Sequence, residues 1–162
     1  MAGSRIEHWY SICILRDMKL LLFTVVVALL AGSSIAQQPV ITQIELTKQS
    51  RGYQEAIRVT ADSVFVVAED LKTGKNPIRY SRAISDDDWS RLIHAIGPLK
   101  LKDIPFLPSP TMKRASDAAM HATLTITTND GNSYAHGYDD ENPHESLQEL
   151  RKTVREVSGK KE

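Results

Sequence analysis

Histidines, carboxylates and serines are where chemistry would reside in this chain, and their spacing argues against most of it. The densest set of metal-ligand types is His136, Asp139, Asp140, Glu141 and His144. A calcium loop needs carboxylates at alternating positions around a central glycine. This run has neither, and it reads as a solvated acidic turn. His144-Glu145 begins like the zinc-protease helix motif, which holds its ion with a second histidine one turn later. Gln148 stands at that position, so Glu145 reads as the capping partner of a helix start. His121 and His136 sit on two arms of one hairpin, too far out of register to share an ion. Asp86-Asp87-Asp88 suggests acid and base work. Successive helix positions diverge around the axis, however, and three first-turn carboxylates suit the helix dipole.

Nucleophilic and nucleotide chemistry fare no better. No Gly-x-Ser-x-Gly elbow occurs, and Gly52, Gly74, Gly97, Gly131 and Gly137 stand alone rather than in a phosphate-cradling loop. The only cysteine, Cys13, lies in a segment expected to be absent from the mature protein. No catalytic residue, metal site or cofactor is therefore expected. The remaining candidates are contact residues: Ser50, Arg51, Gly52 and Tyr53 in one turn, Phe106 and Leu107 in a proline-rich loop, and a third loop from Lys72 to Lys75. Loops carried by a rigid sheet are where binding usually resides.

The elements that must position these residues are legible from periodicity. Residues 40–48 alternate, with Val40, Ile44 and Leu46 opposite Gln43, Glu45 and Thr47, which is the period of a half-buried strand. After the Ser50–Gly52 turn, residues 56–60 place Ile57 and Val59 on one face. Residues 64–69 are β-branched and predict a strand with both faces partly covered. The stretch 71–77 is turn-rich and leads to a fourth strand over 78–84. Ser85 then caps a helix whose stripe is Trp89, Leu92, Ile93 and Ile96, and Gly97-Pro98 ends it. Three prolines from Ile104 to Pro110 exclude a regular element and predict a pinned loop along one sheet edge.

A second hairpin spans 120–128 and 133–138. A two-residue Asp130-Gly131 turn would pair Ile126 with Ala135, whereas a three-residue loop with Gly131 left-handed pairs Ile126 with Tyr134 and Leu124 with His136. Burial of the large residues favours the second register. Asn142-Pro143-His144-Glu145 predicts the start of a final helix with stripe Leu147, Leu150, Val154 and Val157. The expected fold is α+β: an antiparallel sheet of about six strands, a four-stranded meander plus a hairpin, with two helices packed on one face.

The order Ser50-Arg51-Gly52-Tyr53, the helix from Ser85 to Ile96, Asp117-Ala118-Ala119 and the close from Tyr134 through Leu150 resembles small exported bacterial proteins related to emfourin, the inhibitor of thermolysin-like metalloproteases. The resemblance covers most of the mature chain and implies the same fold, with a protease as partner. The family's inhibitory turn is richer in glycine than the single Gly52 here.

Location and charge complete the reading. Met18-Lys19, the apolar run Leu20–Ala31 and the small-x-small close Ser34-Ile35-Ala36 read as a secretory signal. Translation is expected to start at Met18 and cleavage to follow Ala36. The run is short for a membrane span, which wants roughly 20 apolar residues, so the membrane is met only if this segment stays uncleaved. Leu30-Ala31-Gly32 precedes serine rather than cysteine, so no lipoprotein is expected.

Domains are then 1–36 (extension and signal), 37–158 (one α+β domain) and 159–162 (charged tail). Without residues 1–36 the chain has 17 basic and 18 acidic residues, dispersed rather than clustered, a poor basis for nucleic-acid binding. The expectation is a periplasmic or secreted, non-enzymatic module that binds a protein, with inhibition of a protease as what the resemblance implies. An enzyme or small-ligand carrier with a scattered site is the alternative.

Overall fold

Alternating residues build an antiparallel sheet in the computed structural model, which describes residues 39–111 and 120–160. The strands are β1 (Ile41–Ser50), β2 (Tyr53–Thr60), β3 (Ser63–Asp70), β4 (Ile78–Ala83), β5 (His121–Thr128) and β6 (Ser133–Asp139), in the order β4-β3-β2-β1-β5-β6. The helices are α1 (Asp86–Ile96) and α2 (Gln148–Ser158). The fold is therefore α+β with two helices packed on a six-stranded sheet, as the periodicity predicts. The leader, Cys13, Met18 and Asp117-Ala118-Ala119 lie outside the described residues, as do Lys113 and Arg114. No helix among the described residues is long and apolar enough to cross a membrane.

Register follows from which side chains must leave water. Ile44 and Leu46 pair with Val59 and Ile57 on one side and with Ile126 and Leu124 on the other. These residues join Val64, Val66, Leu92, Leu150 and Val154 in one core between sheet and helices. The β5–β6 hairpin takes the three-residue loop. Gly131 has φ +81, its N–H donates to Thr128 O at 3.0 Å, and Ile126 faces Tyr134 while Leu124 faces His136.

Ser85 caps α1 as expected, its Oγ accepting from Asp88 N at 3.1 Å. The C-terminal carbonyls of α2 are capped from β4: Tyr80 Oη donates to Ser158 O at 2.5 Å and the Arg82 guanidinium donates to Val157 O. Such carbonyls have no partner inside the helix.

Four expectations are corrected. Val40 is exposed and Ile41 packs on the core instead, because an irregularity between Ile41 and Gln43 breaks the alternation. The outer face of β3 is open rather than covered, leaving Phe65 and Val67 exposed. The proline-rich segment is regular in part: Leu101–Phe106 is a 3₁₀ helix that carries Pro105, lies against β6 and buries Ile104. A 3₁₀ helix this short has few internal hydrogen bonds for proline to remove. The final helix begins later than Pro143. His144 Nδ1, not Glu145, caps a 3₁₀ turn over Glu145–Leu147 by accepting from Ser146 N at 3.3 Å, and α2 follows.

Candidate functional site

The β1–β2 turn is tight: Ser50 and Tyr53 pair as the last rungs of the ladder, leaving Arg51 and Gly52 to reverse the chain. Gly52 has φ +80, where a Cβ is strained, and a Cβ there would stand 3.0 Å from Lys72 Cγ. Gly52 O accepts from Leu71 N at 2.8 Å, so the turn and the 71–77 loop lie side by side. Two of the three predicted contact loops are thus brought together. Phe106 and Leu107 are not part of that pair, for their 3₁₀ helix lies against β6, three strands from β2. Phe106 is 85 % exposed, while Leu107 packs partly on the core.

Behind the turn is a cluster of buried charges. Lys48 and Glu55 face each other across β1 and β2 on the helix-covered face, 3 % and 5 % exposed. Glu55 accepts from Tyr53 Oη at 2.5 Å, Lys160 Nζ at 2.8 Å and Arg155 NH1 at 3.2 Å. The Lys48 ammonium contacts the Glu141 carboxylate, which Arg151 NH1 also meets at 2.5 Å. Arg151 and Arg155, one helical turn apart on α2, bring their guanidiniums over the end of the sheet. Tyr138 follows in the same row beyond Ala122, fully buried, and its Oη has no hydrogen-bond partner among the described residues.

Burial dominates the electrostatics here. It pushes the Lys48 ammonium down to about 8, helped by the charge on Arg155 and in spite of Glu55. Burial also pushes Tyr53 up to about 12, with the Glu55 hydrogen bond adding to it, and Tyr138 up to about 12. For Glu55, burial acts upward, but the hydrogen bonds from Lys160 and Tyr53 prevail and hold it below the usual carboxylate range.

The 139–141 run is not a solvated acidic turn. Asp139 is 1 % exposed and accepts from Thr111 Oγ1 at 2.6 Å, and Glu141 belongs to the charge cluster. His136 is buried and its ring stacks on Tyr138 with centroids 6.0 Å apart, on the face opposite His121. Among the described residues, no three His, Cys, Asp or Glu converge as a metal site.

Sequence reading missed Lys48, Glu55, Arg155 and Lys160. The signal was parity: Lys48 continues Ile44 and Leu46, and Glu55 continues Ile57 and Val59.

The buried charge cluster points its side chains to the helix side of the sheet, and Lys48 and Glu55 also border a cavity on the other side. A cavity of about 500 Å³ opens on the outer face, with Thr47, Gln54, Val67, His121 and Thr123 in its lining. The side chains of Lys48, Glu55 and Tyr138 face the helices instead. Those buried groups make a structural clamp beneath the Ser50–Tyr53 turn, whereas the outer cavity offers hydroxyls, amides and an imidazole.

The chain matches no protein-family model and none of the curated proteins.

Proposed function

We propose that this chain is an exported, non-enzymatic binding module of the bacterial envelope or exterior that grips a protein partner, with a protease as the first candidate. The contact is the Ser50-Arg51-Gly52-Tyr53 turn with the 71–77 loop beside it. One observation carries the reading: the turn is exposed at Arg51 yet held on its far side, by Leu71 N on Gly52 O and by Tyr53 Oη on the buried Glu55. A turn fixed before binding loses little freedom on binding, which is how preorganised inhibitor loops reach high affinity. Phe106 and Leu107 present a separate apolar surface beside β6. The enzyme alternative finds less support, because the cavity bordered by Lys48 and Glu55 includes neither Tyr53 nor Tyr138, the other buried groups with shifted pKa values.

The test is a pull-down from the producing cell's envelope fraction at physiological salt, followed by titration against a thermolysin-like metalloprotease. A stoichiometric complex weakened at least about tenfold by Arg51→Glu, with melting temperature unchanged, is the expected result. Recovery of no protein partner, or equal binding by the variant, refutes the assignment.

A further inference from the structure

We propose that the uncovered face of the sheet is a trough for a linear, uncharged polyhydroxylated ligand, a glycan strand, lying across the strands. This goes beyond a protein-binding turn and uses different residues. Register lines the outer-face side chains into rows that run from strand to strand. One row is Thr123, Thr47, Ala56 and Val67, ending at Arg79. Its members are mostly small, so the row is a floor. The next row is His121, Gln49, Gln54 and Glu69, long and polar, and it forms a wall.

On the floor's other side stand Thr125, Glu45, Arg58 and Phe65. The Glu45–Arg58 pair closes at 3.3 Å and Phe65 is exposed. The cavity of about 500 Å³ lies over the floor and first wall, within the usual range for small-molecule sites. Its lining spans β5, β1, β2, β3 and β4, about 19 Å of sheet at the usual strand spacing. His121 reaches beyond it: its ring covers Gly137 on β6, where an added Cβ would stand 3.3 Å from His121 Cε1.

Three features select the ligand class. Charge is balanced on this face, Glu45 against Arg58 and Glu69 against Arg79, so neither a polyanion nor a polycation gains from it. The backbone donors and acceptors of the inner strands are consumed in the ladders, so a ligand crossing the face meets side chains only. Those side chains are hydroxyls, two amides, an imidazole, a carboxylate and a guanidinium, which donate and accept as sugar hydroxyls require. A peptide would seek a sheet edge or deep apolar pockets, and a floor of Thr, Thr, Ala and Val supplies neither.

The experiment is a titration of the full-length chain with cellohexaose and with chitohexaose, followed by amide resonances in two-dimensional NMR. Expected is saturable perturbation confined to the two rows, weakened about tenfold or more by Gln49→Ala with Gln54→Ala and abolished by Thr123→Tyr, which fills the floor. Should Thr123→Tyr lower the melting temperature, the exposed glutamine pair carries the test. Overturning results are no saturable perturbation by either hexasaccharide at millimolar concentration, binding that ignores the glutamine variants, or occupation of these rows by an extended hexapeptide and not by a saccharide.

Discussion

The two faces of the sheet use polar residues in opposite ways. On the helix-covered face, Lys48, Glu55 and Tyr138 extend rows that are otherwise apolar, and they are sealed under Arg151, Arg155 and Lys160. On the other face, Gln49, Gln54, Glu69 and His121 occupy equivalent rungs with no helix over them among the described residues. The same chemical types are structural where water is excluded and available where it is not. The burial-driven shifts at Lys48, Tyr53 and Tyr138 therefore mark the inner face as a clamp. The binding hypotheses belong to the turn and the outer face.

The contrast is broken most directly at Glu55. Glu55→Gln leaves Arg155 and Lys160 with an uncharged partner in a buried site, and loss of one member of a buried ionic set costs about 3–5 kcal/mol; urea unfolding should show it. Gly52→Ala forces a Cβ into φ +80 against Lys72 and should cost about 1–2 kcal/mol in the same assay, while slackening the turn.

Lys48 sharpens the contrast through pH. Its folded value of about 8 lies below the unfolded 10.5, so the unfolded chain binds more protons between those limits. Its contribution to stability is present above the unfolded value and is lost as pH falls through about 8. Thermal unfolding of Lys48→Met should lack that rise with pH. Tyr53 and Tyr138, raised to about 12, act with the opposite sign. Their contribution is complete below 10 and fades as pH climbs toward 12, in the variant as in the parent. The smallest effect is expected on the open face, where Gln54→Ala should stay within about 0.5 kcal/mol. A larger loss would show that this face is structural too.

Much of this fold was legible in the sequence because burial and turn chemistry agree. The β5–β6 register followed from Gly131 and the need to group Leu124, Ile126, Tyr134 and His136. Legibility failed where an ionisable residue occupied a core position. Lys48 and Glu55 were passed over because charge is a surface signal by type and a core signal only by parity. The partners of Glu55, Arg155 and Lys160, lie about a hundred residues away, beyond any local pattern. Val64–Glu69 misled in the other sense: Phe65 and Val67 have strand-forming side chains that suit either a covered face or an open one.

One feature of the topology also orders events in time. Four of the five strand pairings join neighbours in sequence, and only β1 with β5 is remote, with Ile44 facing Ile126 and Leu46 facing Leu124. The meander β1–β4 and the hairpin β5–β6 can each form from local encounters, but the seam between them requires closing a long loop before any contact rewards it. Formation of that seam is the expected rate-limiting step. Truncations such as Ile126→Val should slow refolding in stopped-flow measurements, whereas equal truncations at Val64 in the meander should chiefly hasten unfolding.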